Sequence, residues 1–244
     1  MKWIYLSPHL DDAAYSCGGL IHQQVQQGTA VEIWTLFAGQ FTPGALSPFT
    51  KAIHQRWGTG DESITARRAE DARACTLLGA SPRYFDFLDV IYRTNPISKQ
   101  AEIINNEDLF RNRLPSDDEL IRSITSSLQN ALRSEHDFQL CIPLGLGNHI
   151  DHTLAHCAAE NLPGLQRPAY YADFPYVLQN TLTVSKKNPT TFPLNTTDII
   201  AWCDAIALYA SQASTFWPDD QAMRNQVQAY WHQSGGSRIW FADQ

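Results

Sequence analysis

No apolar run in this sequence approaches the length of a membrane span, so no spanning helix is expected. A secretory signal is missing too. Met1-Lys2-Trp3 leads straight into an apolar stretch without a basic start or a small-residue cleavage site, and a cytoplasmic protein is expected. Positive charge is in short supply: 18 Lys and Arg against 25 Asp and Glu leave a net charge of −7. Such a chain repels phosphate backbones, which argues against nucleic acid as a partner. No G-x-G-x-x-G follows the first apolar run, which argues against a dinucleotide cofactor. The five cysteines (17, 75, 141, 157 and 203) are odd in number and form no C-x-x-C pair, so they read as reduced thiols.

What is present suits one globular domain over residues 1–244. The chain is 43% apolar, enough for a sizeable core, and shows neither an internal repeat nor a sharp boundary. Residues 3–6 read as a buried first strand, which empties into Ser7-Pro8-His9-Leu10-Asp11-Asp12. A second apolar run, residues 138–144, empties through Gly145-Leu146-Gly147-Asn148 into His149-Ile150-Asp151-His152. In open α/β sheets, ligands collect beyond the carboxyl ends of the strands. A histidine at a helix start, or Asp-Asp before one, is in isolation as good a reading of simple capping. Two such clusters, each after a buried strand, favour a shared metal ion. His9 and Asp12 are three apart, as are His149 and His152. A His, an Asp and a His drawn from these pairs make a three-ligand set with room for water, the pattern of a catalytic zinc site.

The same residues carry a resemblance. Pro8-His9-Leu10-Asp11-Asp12 followed by Gly18-Gly19, with His149-Ile150-Asp151-His152 later, resembles the LmbE-like (PIG-L) family of zinc-dependent de-N-acetylases. That family writes its first motif His-Pro-Asp-Asp-Glu and its second His-x-Asp-His. Here Leu10 replaces the Pro and Ala13 the Glu, neither of which is a metal ligand in the family. Arg67-Arg68-Ala69-Glu70, with Ala74 and Leu78-Gly79, resembles the family's Arg-x-x-Glu helix, and Tyr209-Ala210-Ser211-Gln212 resembles a late Ser-Gln helix.

The resemblance implies a Rossmann-like α/β fold with a mainly parallel sheet and helices on both faces. It implies one zinc ion per chain on His9, Asp12 and His152, and an acetylated amino sugar of the N-acetylglucosamine type as substrate. Asp11 is the implied general base towards the attacking water. Protonated His149, its ring oriented and charged by Asp151, is expected to help zinc hold the oxyanion. Arg67 becomes a substrate contact, although Arg67 and Glu70 read without the resemblance as a surface ion pair. Asp89, at the end of a third apolar run over residues 83–88, is expected either to hold substrate hydroxyls or to cap its turn. Two alternatives stay open: another metal-dependent amidase or esterase, and a sugar-binding protein that kept a metal and lost turnover. Asp11 argues against the second, since binding alone requires no base.

Elsewhere, residues 39–61 read as a long loop whose Phe41, Phe49 and Trp57 suit a lid or a subunit contact in a homo-oligomer. Residues 94–116 read as an irregular surface excursion, residues 190–197 as a linker, and residues 238–241 as a short strand closing the sheet edge. His156, four positions after His152, reads as ordinary packing and is left out of the metal set.

Overall fold

A computed structural model of the chain describes residues 1–42, 46–95, 97–179 and 188–242. The chain opens with β1 (Lys2–Ser7), α1 (Asp12–Gln26) and β2 (Val31–Thr35), followed by α2 (Pro48–Trp57), α3 (Ser63–Leu78) and β3 (Ser81–Tyr84). Then come α4 (Asp117–Leu132), β4 (Phe138–Pro143), α5 (Ile150–Glu160), β5 (Ala169–Tyr171) and β6 (Thr190–Phe192). The last elements are α6 (Thr196–Ala207), α7 (Ala210–Ala213), α8 (Asp220–Ser234) and β7 (Ser237–Phe241). Among the described residues these strands form one seven-stranded sheet in the order β3-β2-β1-β4-β5-β7-β6.

β1 to β5 are mutually parallel, whereas β7 runs antiparallel to both β5 and β6. The chain steps outward from β1 through β2 to β3, then returns to place β4 on the other side of β1. Right-handed crossovers therefore put α1 and α3 on one face and α4 and α5 on the other. The order reverses between β1 and β4, and a switch point of this kind opens a crevice at the strand ends. Trp3 to Leu6 in β1 and Leu140 to Ile142 in β4 are buried, as strands covered on both faces must be. Gly18 and Gly19 are explained by packing. A Cβ on Gly18 would stand 2.6 Å from the Trp202 ring, and one on Gly19 2.7 Å from Leu194, so α1 lies close against α6 and the segment before it.

Several expectations need correction. The stretch 39–61 is not one loop: α2 and a short 3-10 turn occupy much of it, and residues 43–45 lie outside the described residues. The third strand spans Ser81–Tyr84 and not residues 83–88, because the chain folds back there and Phe37 bridges Asp86 antiparallel. Residues 238–241 do form a strand, but β7 is interior. β6, inside the expected linker, is the edge. A three-residue Thr-Thr-Phe strand just before Pro193 is short enough to read as linker, and proline is tolerated beside an edge. α5 begins at Ile150, which places His152 within its first turn.

Candidate metal centre and active site

Both motifs lie at the switch point, one after β1 and one after β4, on strands that pair directly. Asp11 is the N-cap residue of α1, yet its side chain makes no capping bond. Ser7 caps the helix start instead, its Oγ accepting from Ala13 N–H at 3.0 Å and donating to His9 O at 2.6 Å. Both neighbouring carboxylates are thereby released from capping. Asp12 Oδ2 accepts from His9 N–H at 2.8 Å and lies 3.2 Å from His9 Nδ1 and 3.3 Å from His152 Nε2.

The other nitrogen of each ring is already committed. His9 Nε2 lies 3.1 Å from Asp151 Oδ2, and His152 Nδ1 lies 2.7 Å from Asp173 Oδ1. Asp173 is itself fixed, accepting Leu146 N–H at 2.9 Å through Oδ2. Carboxylates behind ligating imidazoles are the usual means of fixing ring orientation around a metal. One ring nitrogen from each of His9, His149 and His152 also lies close enough to the others to share an ion. With Asp12 Oδ2 within 3.3 Å of both His9 and His152, the geometry offers either Asp12 or His149 as a third donor.

Charge supports the same picture. Burial would strip the proton from His9, but Asp89, Asp12 and Asp151 outweigh it and hold the ring well above its ordinary range. His152 is likewise opposed by burial, yet Asp12 and Asp173 push it up to about 10. The two rings thus carry protons that a bound cation would displace. Asp12 is held well below the usual carboxylate range by His152 and His9, against its burial. Asp11 moves the other way: burial first, then repulsion from Asp12, raise it to about 7 against the pull of Arg67. Adjacent carboxylates thus differ in character, one fixed as an anion and one poised to exchange a proton near neutrality.

The expected partnership of Asp151 with His149 is not what the structure shows. The Asp151 carboxylate is taken by His9, by Val90 N–H at 2.9 Å and by Arg93, whose Nη1 lies 2.7 Å from Oδ1. His149 instead caps α5, its Nδ1 accepting Asp151 N–H at 3.3 Å. Burial, then the positive His9 and His152, hold His149 well below its ordinary range. A neutral ring that accepts at Nδ1 carries its proton on Nε2 and can still donate from there.

Arg67 is buried and does not pair with Glu70. Its guanidinium bridges Asp11 at 3.7 Å and Asp89 at 3.6 Å and lies over the Trp57 ring at 4.7 Å. Glu70 turns to the late motif, accepting Ser211 N–H at 3.0 Å and Ser211 Oγ–H at 2.6 Å. Asp89 caps its turn, one of its two expected roles: Oδ1 accepts from Ile91 N–H at 3.1 Å, while Oδ2 lies 3.6 Å from Arg67 Nη1. His156 bonds Pro143 O at 2.9 Å, which fits ordinary packing. Two residues that the sequence did not single out matter here, Ser7 and Asp173. Asp173 had a signal, since Ala169-Tyr170-Tyr171 is a strand and a carboxylate follows shortly after its end.

These groups line a cleft of about 330 Å³. Its floor is polar, with His9, Asp11, Asp12, Arg67, Asp89, His149 and His152. Trp57, Phe110, Tyr176 and Phe216 wall it with rings. The Phe110 and His149 rings meet nearly perpendicular with centroids 5.8 Å apart, as do those of Tyr176 and His152 at 5.6 Å.

Fold and site together define an α/β protein with a buried His/Asp centre, fit to hold a metal ion, at the switch point of its sheet. The chain belongs to the GlcNAc-PI de-N-acetylase (PIG-L) family, whose model matches residues 4–162. A 2'-N-acetylparomamine deacetylase of Niallia circulans is 22% identical over 98% of this chain and 93% of its own length. Another of that name, from Streptomyces fradiae, is 26% identical over 73% of this chain. The matched part spans only 58% of that relative. The zinc-inhibited form of teicoplanin deacetylase Orf2 superposes with a TM-score of 0.86, covering 99% of this chain and 97% of that one. At 23% identity that likeness is one of fold.

Proposed function

We propose that the chain is a zinc-dependent N-deacetylase that removes an acetyl group from an N-acetylglucosamine-type sugar, releasing acetate and a free amine. The observation that carries this reading is the convergence of His9 Nδ1 and His152 Nε2 on Asp12 Oδ2, with Asp11 beside them in the cleft. One zinc per chain would be held by His9, Asp12 and His152. When bound there, the ion supplies Lewis acidity to an acyl oxygen and acidity to water.

The chain's own residues supply the rest. Asp11 takes the proton of the attacking water as a bond forms to the acyl carbon. It returns that proton to the nitrogen as the C–N bond breaks. Arg67 fixes the Asp11 carboxylate and lines the cleft, where its guanidinium meets a sugar hydroxyl. Asp89 Oδ2 accepts from a second hydroxyl. Neutral His149 donates from Nε2 to the acyl oxygen as it becomes negative, and Asp151 serves His9 in place of His149. The aromatic walls suit the apolar face of a sugar ring.

All five cysteines are unpaired, which fits a reducing, cytoplasmic setting. No helix among the described residues is long and apolar enough to cross a membrane. The test is acetate release from N-acetylglucosamine derivatives set against simple esters, with zinc measured on the same samples. Turnover of esters alone would move the reading to an esterase. Tight sugar binding without acetate release would leave a binding protein.

A further inference from the structure

We propose that Arg93 is a positioning residue for the metal centre, holding Asp151 so that Asp151 fixes the His9 ring. This rests on the reading of His9 as a metal ligand. Arg93 follows the 3-10 turn Val90–Tyr92, whose first N–H already donates to Asp151. Its Nη1 lies 2.7 Å from Asp151 Oδ1 and donates to Leu88 O at 3.2 Å. The contact is a buried pair of opposite charges. The Asp151 side chain has no exposed surface and that of Arg93 is 10% exposed.

A fully buried carboxylate requires compensation. His9 is a poor source of it once its Nδ1 is given to a metal, because the ring is then neutral. Arg93 provides a charge that does not depend on what His9 binds. The two also share a backing ring. The Arg93 guanidinium lies 5.5 Å from the centroid of Phe37, and the His9 ring lies 6.0 Å from it.

On its outer side Arg93 Nε lies 3.4 Å from Glu102 Oε2, and the same oxygen is 3.4 Å from Arg111 Nη2. Arg111 in turn grips Asp117 at the start of α4 through two bonds of 2.8 Å. From the His9 ring, alternating charges therefore run outward through Asp151, Arg93, Glu102, Arg111 and Asp117. Between Glu102 and Arg111 lie Asn106, Leu109 and Phe110, which line the cleft. The excursion that walls the cleft is thus tied to the group that aims a ligand.

The test is zinc affinity of the metal-free protein, read by competition with a chromophoric chelator and scaled to the folded fraction. Arg93→Met should bind zinc about 10- to 100-fold more weakly, the usual effect of losing support behind a ligating histidine. Wild-type affinity in folded Arg93→Met would overturn the proposal. Should that variant not fold, Arg93→Lys takes its place. A lysine cannot reach Asp151 and Leu88 O together, so a weaker loss is expected, and no loss overturns the proposal. Glu102→Gln should leave zinc affinity as in wild type. A loss as large as that of Arg93→Met would overturn the assignment, because any loosening of the excursion would then suffice. Wild-type protein that binds no zinc, or binds it regardless of His9→Ala, would remove the metal reading itself and is distinct from either result.

Discussion

The two strand-to-helix junctions carry nearly the same residues and use them differently. After β1 a short turn leads into α1, Ser7 caps the helix, and Asp12 points into the centre. After β4 a glycine-containing loop leads into α5, His149 caps the helix, and Asp151 points away from it to stand behind His9. In that loop Gly147 has φ +87° and lies so close to Tyr176 that a Cβ would sit 2.6 Å from its ring. The first junction gives charge to the centre. The second gives one inward ring and one outward support, and its own ring His152 is supported by Asp173 beyond β5. A His and an Asp a few positions apart therefore do not define a role. Which atom already has a partner does.

The sharpest break is removal of one ring from each junction. The His9→Ala, His152→Ala double variant should lose its zinc and all measurable acetate release, by elemental analysis and assay. Retained zinc in that variant, or none in wild type, would undo the site. The next largest effect separates the paired carboxylates of the first junction. Asp11→Ala should keep zinc while losing roughly 10²- to 10⁴-fold in kcat, the range of general base catalysis. Asp12→Ala should lose the metal instead. Zinc loss in both would make Asp11 a ligand. The acid limb of the rate profile belongs to Asp11 and should fall at or below about 7, because a cation between the rings lowers a neighbouring carboxyl.

Two smaller effects test the second junction. His149→Ala should cost about 10²- to 10³-fold in kcat, as for a lost oxyanion donor. The alkaline limb should stay where it is, because a ring held below its ordinary range is already neutral there. A flattened alkaline limb would restore the charged ring, and zinc loss would make His149 the third donor. Asp173→Asn should weaken zinc binding about 10- to 100-fold with the fold intact. Unchanged affinity would mean that His152 needs no support.

The sequence carried the central strands and both motifs because buried parallel strands are nearly continuous apolar runs and the motifs follow them directly. Arg67, Asp11 and Asp89 were also within reach, since strand ends and the family pattern point to them. The roles of His149 and Asp151 were not, because spacing along the chain says nothing about the partners that reach in from elsewhere. Val90 and Arg93 arrive from the loop after β3 and claim Asp151. Asp173 follows β5 by two residues, and nothing in the sequence says that it reaches His152. β6 was hidden because it is only three residues long. α2 was obscured by a Gly-, Pro- and Ser-rich flank, although Ser47 caps it and Pro48 opens it as helix starts commonly do.

The mildest expected effect probes the exchange of capping that frees the first junction. Ser7 is buried at the end of β1, its Oγ bonded to both Ala13 N–H and His9 O. Ser7→Ala leaves that donor and that acceptor without partners in a dry site, at a cost of about 1–3 kcal/mol. For a chain of this size each kcal/mol lowers Tm by about 2–4 °C. The metal-free protein should show the full loss. The zinc-loaded protein should show less, because ligation through His9 and Asp12 would hold the same turn from its other side and binding favours the folded state. By linkage the variant should then bind zinc more tightly than wild type, by the free energy that separates the two losses. An equal Tm loss with and without zinc would show that the turn is set by the strand and helix alone. Ser7 would then be part of the fold and not of the centre, and the two junctions would differ only in where their carboxylates point.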